Sequence, residues 1–235
     1  MCGKKFRIHK VTEGNKLQQC AEILLCFCLD FPERRAVQIT HHRYRLVVSY
    51  YDHFRRLLAE KSLSPENILL LSAHAGDIHV AQDASRCLWC NSNIRSRVAE
   101  KPPVFGVHMK SDGEVVIDPL SDDEAMAHFH RSDTAKEAPG GREGYTGYIC
   151  CRRFHRIAKA DGTGDSADAL WAWIRERVRT HPGIWKKNTG FTLKELEWRY
   201  NNRSLDPDLQ AEKIITYMPK GFLTVWADKM KGRAT

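Results

Sequence analysis

Asp83 closes a short stretch, Asp77-Ile78-His79-Val80-Ala81-Gln82-Asp83, in which Ile78 and Val80 alternate with polar residues. That period belongs to a half-buried strand, and it puts Asp83 where such a strand would end. A sheet fixes the direction of a carboxylate at a strand end, so the group can be aimed at a metal ion. An aspartate at a strand-to-loop junction can also be only a solvated turn residue. A little further on, Cys87-Leu88-Trp89-Cys90 has the spacing of half a zinc site. The other half would have to come from Cys150-Cys151, and adjacent cysteines rarely hold one ion well, so zinc is not expected in this chain. His155, after a Cys-Cys-Arg-Arg patch, reads as a surface or capping residue before it reads as a pocket residue.

Elements to position these residues can be read on either side. Leu17 to Leu29 has the spacing of a helix, with Leu17, Ala21, Leu24, Leu25 and Cys28 on one face and Pro32 closing it. Cys20, Cys26 and Cys28 in that segment read as buried small hydrophobes. Arg34 to Glu60 predicts a small helix, a turn and a longer helix, with Thr40 a candidate N-cap and an apolar stripe through Leu46, Val47, Tyr50, Tyr51, Phe54, Leu57 and Leu58. Two readings fit this spacing equally. One is a helix-turn-helix presenting His42, Arg43 and Arg45 to DNA; the other is an ordinary αα-hairpin with a basic outer face. Past Asp83, the runs 103–109 and 113–118 flank the turn signal Ser111-Asp112-Gly113 and predict a hairpin. Ser121 is a plausible N-cap for a helix to Phe129, with Asp122, Asp123 and Glu124 in its first turn. Three antiparallel strands followed by a helix resemble the opening of an RNase H-like α/β domain. Residues 132–147 are polar and Gly-rich. Helices are then expected from Ser166 or Asp168, over 192–201, and over 210–217.

The chain has 235 residues, of which 42% are hydrophobic, enough for a core. No apolar run approaches the roughly 20 residues that span a bilayer, and no small-residue cleavage site follows the basic leader Lys4, Lys5, Arg7, Lys10, so neither a membrane partner nor a signal peptide is expected. Eight cysteines without a secretion signal point to a reducing compartment inside the cell, a bacterial cytoplasm or a eukaryotic nucleus. A net charge of +8, spread over Arg34/Arg35, Arg43/Arg45, Arg55/Arg56, Arg95/Arg97, Arg152/Arg153 and Lys186/Lys187, favours an anionic partner and a surface that tracks a nucleic-acid backbone.

Several segments together resemble the insertion-sequence transposases of the Merlin superfamily, over about Cys2 to Arg203. The most specific is Leu193-Lys194-Glu195-Leu196-Glu197-Trp198-Arg199-Tyr200-Asn201-Asn202-Arg203, similar to the family's closing "hLKE.EwRyN.R". Lys101 to Val107 is similar to its "k.pVfG" strand. Gln82-Asp83-Ala84-Ser85 resembles "VDES", the source of the first catalytic Asp. Asn93, Arg95 and Arg97 resemble the basic "RKyNRGR", Gly144 to Tyr148 resembles "DGyrgY", and Asp168-Ala169-Leu170-Trp171 resembles "IEsfW". The resemblance implies a remnant zinc knuckle and helix-turn-helix DNA-binding region over 1–64, an RNase H-like DDE transposase domain over 65–205, and a tail over 206–235. The expected fold class is therefore α/β, an RNase H-like mixed sheet flanked by helices and preceded by a small all-α helix-turn-helix domain.

By the same resemblance, Asp83, Glu143 and Asp168 form the catalytic triad and hold two Mg²⁺ (or Mn²⁺) ions about 4 Å apart for DNA strand cleavage and transfer. His42, Arg43, Arg45, Arg95, Arg97 and Arg203 bind DNA, the partner is terminal inverted-repeat DNA, and the protein works as a homodimer or in a larger complex. The chain departs from the pattern at the triad. Ala84 replaces an acidic neighbour, Glu143 stands for Asp, Asp168 stands for Glu, Thr163 stands for His, and 138–142 lacks a β-forming run. Each Asp/Glu exchange moves a carboxylate by about 1.5 Å, and a misplacement near 1 Å can cost on the order of 10²-fold in rate. The expectation is a DNA-binding transposase-like protein with impaired cleavage; the alternative is an inactive, domesticated copy that serves as a nucleic-acid-binding or structural subunit.

Overall fold

A computed structural model of the chain describes residues 13–74, 103–129, 145–150, 153–156, 164–180 and 189–218. They form α1 (Glu13–Cys28), α2 (Glu33–Thr40), α3 (Tyr44–Ser62), α4 (Pro65–His74), β1 (Val104–Met109), β2 (Val115–Leu120), α5 (Asp122–Phe129), β3 (Tyr145–Cys150), β4 (Arg153–Arg156), α6 (Gly164–Thr180), α7 (Thr189–Asn201) and α8 (Pro207–Ile215). The chain is mixed α/β and divides into two compact units, 1–54 with 205–235, and 55–204. The segment expected to be a separate tail thus returns to the N-terminal unit, where α8 packs against α1.

The first unit is helical because its apolar residues recur at helical spacing and meet around Phe27. That ring lies edge-on to Tyr51 at 5.2 Å and to Phe54 at 5.3 Å between centroids. Such pairs add about 0.5–1.5 kcal/mol beyond the area they bury. α1 ends at Asp30, in the left-handed conformation (φ 58°), with Phe31 N–H donating to the Cys26 carbonyl and Asp30 N–H to that of Phe27. Those two bonds stop the helix, and Pro32 serves as the N-cap position of α2. The Tyr51 hydroxyl donates to the Phe31 carbonyl at 2.9 Å, pinning this corner to α3. Thr40, expected to cap the longer helix, instead ends the shorter one, its hydroxyl donating back to the Ala36 carbonyl at 2.8 Å. Cys20, Cys26 and Cys28 are buried free thiols, and burial pushes the Cys20 thiol up to about 12.

In the second unit, strands run in the order β2-β1-β3-β4, and every pairing is antiparallel. The β1–β2 hairpin forms around the expected turn: Gly113 takes φ 85°, a backbone conformation that residues with a Cβ rarely adopt, and Asp112 accepts the Glu114 N–H. Ser121 caps α5 reciprocally with Glu124, as its Ser-x-x-Glu spacing predicts. β3 carries one extra residue opposite β1. Thr146 falls between the pairs Val107↔Gly147 and His108↔Tyr145, and its hydroxyl donates to the Val107 carbonyl. Phe105, Val107, Val115, Ile117 and Ile149 point from the sheet into a core completed by Leu71, Leu170, Ile174, Phe191, Leu193 and Leu196.

Residues 145–150 form a strand that the Gly-rich reading did not foresee, and the apolar run 68–71 lies in helix α4. β3 then takes the second edge of β1, whose first edge pairs with β2. A mixed sheet needs a parallel pair, and none occurs among the described residues. The stretch 77–83, expected as the first strand of an RNase H-like sheet, lies outside them.

The outer edge of β2 is closed by side chains. Asn201 accepts the Val115 N–H at 2.9 Å and donates to the Val115 carbonyl at 2.8 Å. Glu197 accepts the Ile117 N–H at 2.7 Å, and Lys194 donates to the Ile117 carbonyl at 3.2 Å. By strand alternation Pro119 shares that edge, and it has no N–H to satisfy.

Candidate functional site

Of the carboxylates the resemblance singles out, Asp83 and Glu143 lie outside the described residues, as do Arg95, Arg97, Cys87 and Cys90. The backbone of Asp168 lies in the second turn of α6, and its side chain is outside the described set. Among the described residues no three His, Cys, Asp or Glu side chains gather into a metal-binding group. β3 begins two residues after Glu143.

The basic residues near the α2–α3 junction are described in full. α2 ends at His41, in the left-handed conformation (φ 56°), whose N–H donates to the Val37 carbonyl. Only His41, His42 and Arg43 separate the helices, and the Arg43 carbonyl accepts the first N–H groups of α3, from Leu46 and Val47. Ala36, Val47 and Tyr51 face inward and are buried. Arg34, Arg35, Gln38, Ile39, His41, Arg43, Tyr44 and Arg45 are exposed, which gives the junction a polar, basic outer surface carrying two large apolar side chains. His42 behaves differently from its neighbours. Its Nε2 lies 3.1 Å from Glu22 of α1, its side chain is 17% exposed, and its backbone N–H reaches the Thr40 hydroxyl. His42 braces the turn against α1, while Arg43 and Arg45 face solvent.

The segment with the most specific resemblance, 193–203, is almost entirely interior. In α7 every residue from Gly190 to Glu197, with Arg199 and Tyr200, is buried. A buried polar helix needs partners for its charges, and the spacing supplies them. Glu195 receives Arg55 Nε at 2.7 Å and, one turn on, Arg199 Nε at 2.8 Å. Lys194 lies 2.5 Å from Glu197. Burial alone would raise the Glu195 carboxyl, but the charges and hydrogen bonds of Arg55 and Arg199 overcome it and bring the group down to about 2. For Glu197 burial prevails, pushing the carboxyl up against the pull of Lys194 and the Ile117 N–H. Arg203, placed on DNA by the resemblance, is exposed, with its guanidinium 4.1 Å from the Tyr200 ring centroid and Nη1 donating to the Tyr200 carbonyl at 2.7 Å.

The sequence reading missed the interior role of Lys194, Glu195, Glu197 and Asn201. Lys and Glu three apart, and Glu and Arg four apart, are the usable signals, though the same spacings decorate exposed helices. On α6, Arg177 lies over the Trp173 ring, which meets Tyr200 of α7 edge-on. Comparison of the chain with protein-family models, with curated proteins and with solved structures finds no match. No helix among the described residues is long and apolar enough to cross a membrane.

Proposed function

We propose that this chain is a DNA-binding protein of transposase type, engaging duplex DNA through a helix-turn-helix made by α2 and α3. The observation that carries the reading is the junction itself: an eight-residue helix, three linking residues of which Arg43 is the last, and a long helix whose exposed start bears Arg45. A three- to four-residue turn between two such helices is what lets the second one enter a major groove. Exposed guanidiniums at its first turn can reach phosphates or the acceptor edge of guanine.

Within this reading, the form without strand cleavage is favoured by the departures at the carboxylates the resemblance singles out, Glu143 for Asp and Asp168 for Glu. The donor set also fits Mg²⁺ poorly, since that ion demands near-octahedral geometry at about 2.1 Å and two of the three carboxylates have exchanged length. No catalytic step is assigned to Asp83, Glu143 or Asp168. Terminal-repeat specificity and assembly as a homodimer or larger complex are further parts of the proposal that follow from the resemblance alone.

Titration of labelled duplex DNA at several salt concentrations tests the binding. Replacing Arg43 and Arg45 together by glutamine is expected to weaken duplex binding roughly 10- to 100-fold and to reduce the slope of log K against log salt by about 2. Unchanged affinity and slope would remove the helix-turn-helix reading. Incubation of supercoiled DNA with Mn²⁺ or Mg²⁺ is expected to give the same background nicking with the native chain and with Asp83→Ala. Nicking abolished by that substitution would restore the catalytic reading.

A further inference from the structure

Most exposed apolar side chains stand alone and need no partner. Among the described residues the large ones are Leu29, Ile39, Tyr44, Leu69 and Leu209, and two of these five fall at the α2–α3 turn. Ile39 lies in the last turn of α2, and Tyr44 is the first residue of α3. Tyr44 is 53% exposed, and the residues on either side of it, Arg43 and Arg45, are exposed as well.

Helix geometry and burial together define the face that follows. Val47, Tyr51 and Phe54 are buried, while Arg45, Ser49 and His53, spaced four apart, run down the exposed side. The one carboxylate between Tyr44 and Arg56, Asp52, is half-buried. The exposed side of α3 thus offers a cation, a small hydroxyl and an imidazole, with an aromatic ring at the start of the helix. A polyanion complements such a face, whereas an apolar protein surface would have to strip the water from Arg43 and Arg45.

In a helix-turn-helix the first residues of the second helix meet base edges. The major groove displays hydrogen-bond donors and acceptors and one apolar group, the 5-methyl of thymine. A tyrosine ring set on the donors or acceptors would strip their water without replacing it; set on the methyl, it buries apolar surface on both sides. We propose that Tyr44 is a specificity-determining residue of α3 that reads the 5-methyl group of thymine in the major groove. This rests on the helix-turn-helix reading above and adds a preference for thymine to it.

The full chain is titrated by fluorescence anisotropy, at about 50 and about 200 mM NaCl, with a fluorescein-labelled A·T-rich duplex made once with thymine and once with deoxyuridine throughout. Loss of the methyl groups is expected to weaken binding by the native chain roughly fourfold for each methyl contacted. Tyr44→Ser is expected to bind the two duplexes equally, and Tyr44→Phe to keep the difference. Salt-sensitive binding by the native chain that ignores the methyl, or a difference of the same size in Tyr44→Ser, overturns the thymine reading and leaves the helix-turn-helix. No salt-sensitive binding to either duplex overturns both. A cross-link that needs no variant covers a Tyr44→Ser chain that fails to fold. With 5-iododeoxyuridine in place of thymine, irradiation is expected to attach the DNA at Tyr44, read by mass spectrometry; attachment only elsewhere overturns the assignment. Self-association of the native chain on sedimentation, abolished in Tyr44→Ser, would make the ring a contact between copies and overturn it as well.

Discussion

Glu195→Ala is expected to destabilise the 55–204 unit by about 3–5 kcal/mol, because it leaves the buried guanidiniums of Arg55 and Arg199 without their carboxylate. The loss should appear in a urea titration followed by tryptophan fluorescence, as a lower midpoint with an unchanged slope. Acid gives an independent check, and its sign follows from the folded carboxyl being depressed to about 2 from 4.5. Between those values the unfolded chain binds the proton and the folded chain does not. The stabilisation from Glu195 is therefore complete above about pH 4.5 and is lost as pH falls toward 2. The native chain should lose stability across that window more steeply than Glu195→Ala. Equal acid slopes would mean that the carboxylate does not sit between the two arginines.

A second large effect is expected from Glu197→Leu, again about 3–5 kcal/mol, for two reasons that a double substitution separates. Lys194, 2% exposed, would keep its charge with no carboxylate beside it, and the Ile117 N–H would lose its acceptor. Lys194→Met in the same chain removes the stranded charge and should recover most of the loss, because an apolar pair of similar volume often replaces a buried ion pair at little cost. What remains should be about 1–3 kcal/mol, the cost of the unsatisfied amide. A double variant no more stable than Glu197→Leu would contradict this division.

Much of the helical layout was legible because it rests on local rules. The apolar spacing from Leu17 onward, the 111–113 turn and the Ser121–Glu124 cap each depend on residues within a few positions of one another, and each appears as expected. Thr40 was misplaced by one helix because a threonine hydroxyl can cap forward or bond back to the carbonyl four residues earlier. β3 was missed because Tyr-Thr-Gly-Tyr has a strand's composition only if its glycine is ignored, and what holds it is pairing with β1, some forty residues away.

The site was legible to a smaller degree. Arg43 and Arg45 are where charge and turn spacing put them, whereas His42 was grouped with them although Glu22, twenty residues earlier, claims its ring. The motif 193–203 invited a functional reading for its polar residues. Whether a lysine in a helix faces water or a sheet edge depends on what packs against it, and nothing within one helical turn records that.

The cover over β2 also governs how molecules of this protein meet one another in a crowded or partly unfolded state. A bare strand edge reading Val115-Val116-Ile117 would be a template for cross-chain pairing, the first step toward amyloid-like assembly. Asn201, Glu197 and Lys194 occupy the groups such a pairing needs, and Pro119 lacks one of them, so an incoming strand finds no ladder to extend. The protection is conditional on α7 staying docked. Any substitution that loosens that helix therefore carries a second consequence besides lost stability, a strand edge opened to self-association.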